Sequence, residues 1–203
     1  MKKIILSAIA IMAFAFTNAQ ETRFGVKGGL NLTSFAGGNY WDAKSLVGAH
    51  VGGFAEIKLS DKFSVQPELL YSAQGAKGSY NDFDGTDIIS IDVTSKLAYI
   101  NVPVMAKYYV ADKFSLEAGP QIGFLVSAKE KHSFGGDSEE LDIKDGLNSI
   151  DFGVNFGAGY DFTENVSVGL IYNLGLYNIN KKEDGDSGKV KNSVFSLSVG
   201  YRF

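Results

Sequence analysis

The sequence predicts an all-β protein, an eight-stranded antiparallel up-and-down transmembrane β-barrel, on three observations. Apolar and polar residues alternate with period two through eight segments. One face of every segment is free of charge. Tight turns and long polar connections strictly alternate between the segments. Period two sends successive side chains to opposite faces of a strand. The segments run to about ten residues or more, the length a tilted strand needs to cross hydrocarbon and about twice that of a soluble strand.

Composition narrows the function classes. The chain has 203 residues, 24 Gly, 3 Pro, 2 His and no Cys. That length suits one domain, and the glycine content is well above the ~7% average. Without cysteine there is no disulfide scaffold and no thiolate metal site. A formal charge of −4 opposes nucleic-acid binding, which requires a basic face against phosphate. No cofactor is expected.

Residues 1–19 are expected to be a secretory signal peptide. Lys2 and Lys3 precede an apolar stretch from Ile4 to Phe16, and Thr17-Asn18-Ala19 offers a small-residue cleavage site. The apolar stretch is too short for a spanning helix. The barrel domain is then residues 20–203.

The eight segments follow in order. Phe24, Val26, Leu30 and Leu32 define the apolar face of the first; Val47, Val51, Ala55 and Leu59 that of the second. Phe63, Val65, Leu69 and Tyr71 form the third, and Ile100, Val102, Val104 and Tyr108 the fourth. Phe114, Leu116, Ile122 and Phe124 mark the fifth; Ile150, Phe152, Val154, Phe156 and Tyr160 the sixth. Val166, Val168, Leu170 and Tyr172 belong to the seventh; Phe195, Leu197, Val199, Tyr201 and Phe203 to the eighth.

Ser60-Asp61-Lys62, Ala111-Asp112-Lys113 and Thr163-Glu164-Asn165 read as tight turns; residues 34–45, 76–94, 129–148 and 178–192 read as long loops. The pentamers starting at Asp61, Asp112 and Glu164 repeat at spacings of 51 and 52, one hairpin per repeat. A soluble barrel also alternates, so alternation alone does not choose between the two. Aromatics at both ends of the strands, with short turns at one end and long loops at the other, choose the membrane. Closure is then required, because hydrocarbon offers no partner to an open strand edge. Pro67, Pro103 and Pro120 fall inside strands, where bulges or local breaks are expected.

Four motifs carry a family resemblance: Gly25-Val26-Lys27-Gly28-Gly29-Leu30-Asn31-Leu32, Gln66-Pro67-Glu68-Leu69-Leu70-Tyr71, Asn101-Val102-Pro103-Val104-Met105-Ala106-Lys107-Tyr108, and Gly119-Pro120. The mature chain resembles the Bacteroidota-type outer-membrane β-barrel family, a porin-like group that includes PorT-type proteins. The ending Val199-Gly200-Tyr201-Arg202-Phe203 is similar to the aromatic C-terminal signal read by the outer-membrane assembly machinery, with Tyr201 and Phe203 in that role. The resemblance implies a bacterial outer-membrane location, with outer-membrane lipid and the assembly machinery as partners; the barrel itself is expected to be a monomer. It leaves three roles open: a structural or loop-mediated interaction role, a small passive pore, and an accessory part of a protein-secretion system.

The opposite faces supply the candidate site. Lys27, His50, Glu56, Lys58, Glu68, Lys107, Glu117, Asp151, Asp161 and Arg202 fall on the inward parity. An eight-stranded barrel has room for side chains and little else. Acids and bases are mixed there, so they are expected to pair into a plug, with a narrow ion or water path as the alternative. No enzyme is expected. His132 and Ser133 are adjacent, so on a strand they face opposite ways, and there is no Gly-x-Ser-x-Gly elbow. The stretch from Asp82 to Asp87 is acidic but lacks the spacing and late glutamate of a calcium loop.

Overall fold

The computed structural model describes residues 21–37, 44–83, 88–135, 137–181 and 189–203. The expected signal peptide and residues 84–87 of the acidic stretch lie outside them.

Nine strands are present among the described residues: β1 (Glu21–Ala36), β2 (Lys44–Ser60), β3 (Phe63–Phe83), β4 (Ile88–Ala111), β5 (Phe114–Phe134), β6 (Asp137–Asp142), β7 (Ile150–Asp161), β8 (Val166–Gly175) and β9 (Lys191–Arg202). Eight close a ring of antiparallel neighbours in chain order, and β9 returns to β1 from Gly25↔Arg202 to Ala36↔Lys191. The ninth, β6, is a side hairpin on the upper part of β5, above the level where β5 pairs with β7. The three short turns share one end with the chain's first and last strand ends. By the usual asymmetry of these barrels that end faces the periplasm.

Exposure separates the faces. Phe24, Leu69 and Leu197 are 59%, 58% and 53% exposed, whereas Asn31, Glu68 and Lys107 are 2%, 5% and 4% exposed. A soluble barrel would show the reverse. The apolar face is outside because lipid, not water, covers it, and each such side chain gains about 1.5–3 kcal/mol by leaving water. Near the periplasmic rim it ends in aromatics, with Tyr160 edge-on to Phe162 at 5.1 Å and Tyr201 edge-on to Phe203 at 5.7 Å.

The stretches 76–94 and 129–148, expected as loops, are largely strand. β3 and β4 stay paired out to Phe83↔Ile88, and β5 turns back into β6. In sequence their Gly and acid content suggests loop. Yet Ile91, Val93 and Leu97 keep period two with β-branched residues between polar ones, a pattern that fits a half-buried pleat. A sheet of β3 to β6 therefore rises past the barrel on the extracellular side.

The three prolines lie on three adjacent strands, and each breaks the ladder to the preceding strand. Pairing of β2 with β3 stops after Phe54↔Glu68 and resumes at Ile57↔Val65. Between β3 and β4 it lapses from Pro67↔Val104 to Leu70↔Asn101, and between β4 and β5 from Pro103↔Gln121 to Ala106↔Ala118. Register is the same on both sides of each gap. These are local breaks and not bulges, as a missing N–H requires when the flanking strand stays in line.

Candidate functional site in the barrel lumen

The lumen is built in three layers. The periplasmic layer is ionic. Lys107 Nζ lies 3.4 Å from Glu56 Oε2 and 3.5 Å from Glu117 Oε1. Arg202 donates through one terminal nitrogen to Glu56 Oε2 at 2.9 Å and pairs through the other with Asp161 Oδ1 at 2.7 Å. Tyr109 donates its hydroxyl to Glu56 Oε1 at 2.8 Å, and Ser115 to Glu117 Oε1 at 3.0 Å. Gly159 makes room for this: a Cβ there would collide with Glu117 Oε1 and stand 2.8 Å from Ser115 Oγ. Just above, Lys27 Nζ bridges both oxygens of Glu68 at 2.9 and 3.0 Å, and Gln66 donates to the same carboxylate at 2.7 Å. Seven of the eight ring strands, all but β8, thus contribute to this layer, and neutral donors fill the carboxylate lone pairs that the cations leave.

The middle layer is neutral. Asn31 donates to Ser72 Oγ and to the Ala73 carbonyl, each at 3.0 Å. Its Oδ1 accepts from Ser196 Oγ at 2.9 Å and faces His50 Nδ1 at 2.8 Å. An amide oxygen only accepts, so the proton of His50 is on Nδ1. Across the lumen Asn173 donates to Asn155 at 2.8 Å, and Asn155 to Gln121 at 3.2 Å.

The extracellular layer is an apolar cap. Leu97, Tyr99, Leu125, Ala128, Leu147, Ile179 and Val190 form one buried cluster, with Phe35 and Ile143 against it. The segments around Leu147 and Ile179 fold over the mouth. Asn148 N–H donates to the Ile179 carbonyl at 2.7 Å, Ile179 N–H to Val190 at 2.8 Å, and Leu125 N–H to Ser149 at 2.9 Å. Asn148 Nδ2 reaches the carbonyls of Asn178 and Asn180 at 2.9 and 3.0 Å.

Little space remains inside. The middle layer holds a cavity of about 40 Å³ and the ionic layer one of about 20 Å³, each enough for one or a few waters. Below them the periplasmic mouth opens into a vestibule of about 820 Å³.

Not every expected lumen residue joins the ionic layer. Lys27, Glu56, Glu68, Lys107, Glu117, Asp161 and Arg202 do. Lys58 does not. Its side chain is 45% exposed and pairs with Asp61 at 3.7 Å, because β2 ends two residues later and the inward face there has reached the rim. His50 binds Asn31 and no acid partner. Asp151 accepts from Asn192 and has no basic partner. Phe54 and Tyr109 were not expected inside, though both share the inward parity of Glu56 and Lys107. Phe54 is buried against Gly25 and Gly200.

A closed eight-stranded barrel, apolar and aromatic outside and packed with polar groups inside, is an integral outer-membrane protein. The model of the outer membrane protein beta-barrel domain family matches residues 18–181, and the chain belongs to that family. No curated protein matches it. Among solved structures it is similar to Ail, the attachment invasion locus protein of Yersinia pestis, in complex with the heparin analogue sucrose octasulfate. The identity is 18% and the TM-score 0.51, with 91% of this chain and all of that chain covered. It is also similar to Neisserial surface protein A, at 15% identity and TM-score 0.52, with the same coverage. At these identities the likeness is one of fold.

Proposed function

We propose that the protein is a sealed, monomeric scaffold of the outer membrane that stabilises the envelope and presents its extracellular sheet and loops to partners, without enzymatic activity. The observation that carries this reading is the lumen. Three layers of different chemistry fill it, and the cavities between them hold only a few waters. The β3 to β6 sheet supplies a surface beyond the lipid. The resemblance of the proline motifs narrows the source to Bacteroidota-type barrels. The sulfated ligand of Ail is not carried over, since the exposed strand β6 bears Asp137, Glu139, Glu140 and Asp142 and no base, which repels a polyanion.

Planar-bilayer recording tests the seal. Purified barrel inserted in lipid should give no steady conductance above background. Regular, salt-dependent steps from the unaltered protein would overturn the scaffold reading and install the passive pore in its place.

Assembly is part of the same proposal. Tyr201 and Phe203 meet edge-on on the lipid face at the periplasmic rim, where the assembly machinery would read them. Deleting Phe203 removes one rim ring among many, so refolded protein should lose only ~1–3 kcal/mol. Its outer-membrane level in cells should fall much further. Normal levels would remove the signal role.

A further inference from the structure

The buried lumen is not electrically balanced. Among the described residues, five carboxylates face it (Glu56, Glu68, Glu117, Asp151 and Asp161), against the cations Lys27, Lys107 and Arg202. Arg23 and Lys58 line the periplasmic vestibule beside Glu56 and Asp161, so the charge that lacks a nearby protein cation is the one at Asp151. Four of the carboxylates touch at least one base. Asp151 touches none.

Asp151 is 6% exposed and lies directly beneath the apolar cap. Its Oδ2 accepts from Asn192 Nδ2 at 2.8 Å, and Asn192 also reaches the Tyr99 hydroxyl at 3.4 Å. Its Oδ1 is buried and meets no donor. The residue opposite on β5 is Gly123. A Cβ at Gly123 would stand 2.7 Å from Asn101 Oδ1 and 3.6 Å from Asp151 Cβ. Two oxygen-bearing side chains therefore border one notch in the wall, and no base enters it.

A buried carboxylate left alone is costly, and a proton or a cation must neutralise it. The donors here are hard oxygens: one carboxylate and a neutral amide. No group of three or more His, Cys, Asp or Glu side chains able to hold a metal occurs among the described residues. The calcium sites that proteins build use several carboxylates and six to eight oxygens, so the charge count here suits a monovalent ion.

We propose that Asp151 and Asn101 hold an alkali-metal cation in the upper lumen, between the amide belt and the apolar cap. The cation supplies the positive charge that Asp151 lacks and ties β7 to β4 across β5. The site is independent of whether the barrel conducts.

Thermal unfolding of the whole refolded barrel in detergent tests this, read by the heat-dependent gel shift, in sodium, potassium or choline chloride at equal ionic strength. At least one alkali ion should raise the midpoint by several degrees over choline, in a saturable way. Asp151→Asn should abolish that difference. Glu68→Gln, which removes a carboxylate that has its own lysine, should keep it. Sodium-23 NMR of the unaltered barrel gives a readout that does not depend on any variant refolding: excess line broadening, competed away by potassium. Equal midpoints in all three salts, without line broadening, would overturn the proposal. So would an alkali effect that persists in Asp151→Asn, which would place the ion on the acidic loops. Stabilisation by calcium or magnesium but by neither alkali ion would replace the monovalent assignment. A midpoint that follows pH alone would mean that a proton occupies Asp151.

Discussion

The periplasmic and extracellular ends of the lumen solve one problem in opposite ways. Both must fill the inside of a narrow barrel so that no polar group is stranded in hydrocarbon. The periplasmic end does so with ions: Lys107 and Arg202 shared among Glu56, Glu117 and Asp161. The extracellular end does so with a lid of Leu147, Ile179 and Val190 set over Leu97, Tyr99 and Leu125. The ionic end is held by side chains rooted in the strands themselves. The cap is held in part by connecting segments, through Leu147, Ile179 and Val190, which lie outside the ring strands. The lesson concerns cooperativity: damage at the ionic end should be felt by the whole barrel, and damage at the cap should stay local.

The largest effect is expected at Lys107. Lys107→Met keeps the bulk but leaves Glu56 and Glu117 facing each other across a buried site. Breaking one partner of a buried ionic cluster costs about 3–5 kcal/mol. Urea unfolding of refolded protein should show that loss in a single transition. Adding Glu117→Gln should return part of it, because one stranded charge is then gone. A loss under 1 kcal/mol would mean that water already screens the cluster and that the ionic end is not sealed.

The cap comes next. Ile179→Ala removes a buried side chain from the lid, a change worth about 2 kcal/mol or more in a packed core. Exchange at the Ile179 and Leu125 amides, which bond to Val190 and Ser149, should quicken by roughly thirtyfold. The barrel's unfolding midpoint should barely move, and conductance should stay absent because the ionic end remains closed. If the midpoint falls as far as the local exchange predicts, the two ends are one cooperative unit and the contrast between them is wrong.

The two ends also differ in how far the sequence shows them. The ionic end is largely legible. Strand parity is strict, so Lys27, Glu56, Glu68, Lys107, Glu117, Asp161 and Arg202 can be placed inside from period two alone. Parity does not say which acid meets which base, since that depends on the register of strands some 40 to 150 residues apart, such as Arg202 with Glu56. The same parity places Phe54 and Tyr109 inside, although their apolar and aromatic side chains are of the type that elsewhere faces lipid. The cap is not legible. Leu147, Ile179 and Val190 are single apolar residues in polar stretches with no period, and only the closed ring brings them over one mouth. Lys58 shows the converse limit: parity fixes a direction but not a height, and at a strand's end the inward direction leads to water.

The smallest effect is expected beyond both ends, on the hairpin of β5 and β6. Lys129 Nζ donates to Glu140 Oε1 at 2.6 Å in the open. The hydrogen bond to Lys129, then its charge, holds the Glu140 carboxyl below its ordinary range, and the same bond to Glu140 raises the Lys129 ammonium. A depressed carboxylate contributes stability above its unfolded pKa of about 4.3 and loses it as pH falls through the lower folded value. A raised ammonium contributes below about 10.4 and loses its share as pH rises through the higher folded value. The pair therefore supports the hairpin fully from about pH 5 to pH 10. Solvent and salt screen it, so the effect should be confined to fraying of β6. Amide exchange along 137–142 should quicken below pH 4, beyond the intrinsic pH dependence of exchange. Glu140→Gln should show the quicker exchange already at pH 7 and lose the extra acid dependence, with the barrel unaffected in both cases. Identical exchange in the two proteins at pH 7 would show that the backbone ladder to β5 alone holds β6, and that the extracellular sheet owes nothing to this ion pair.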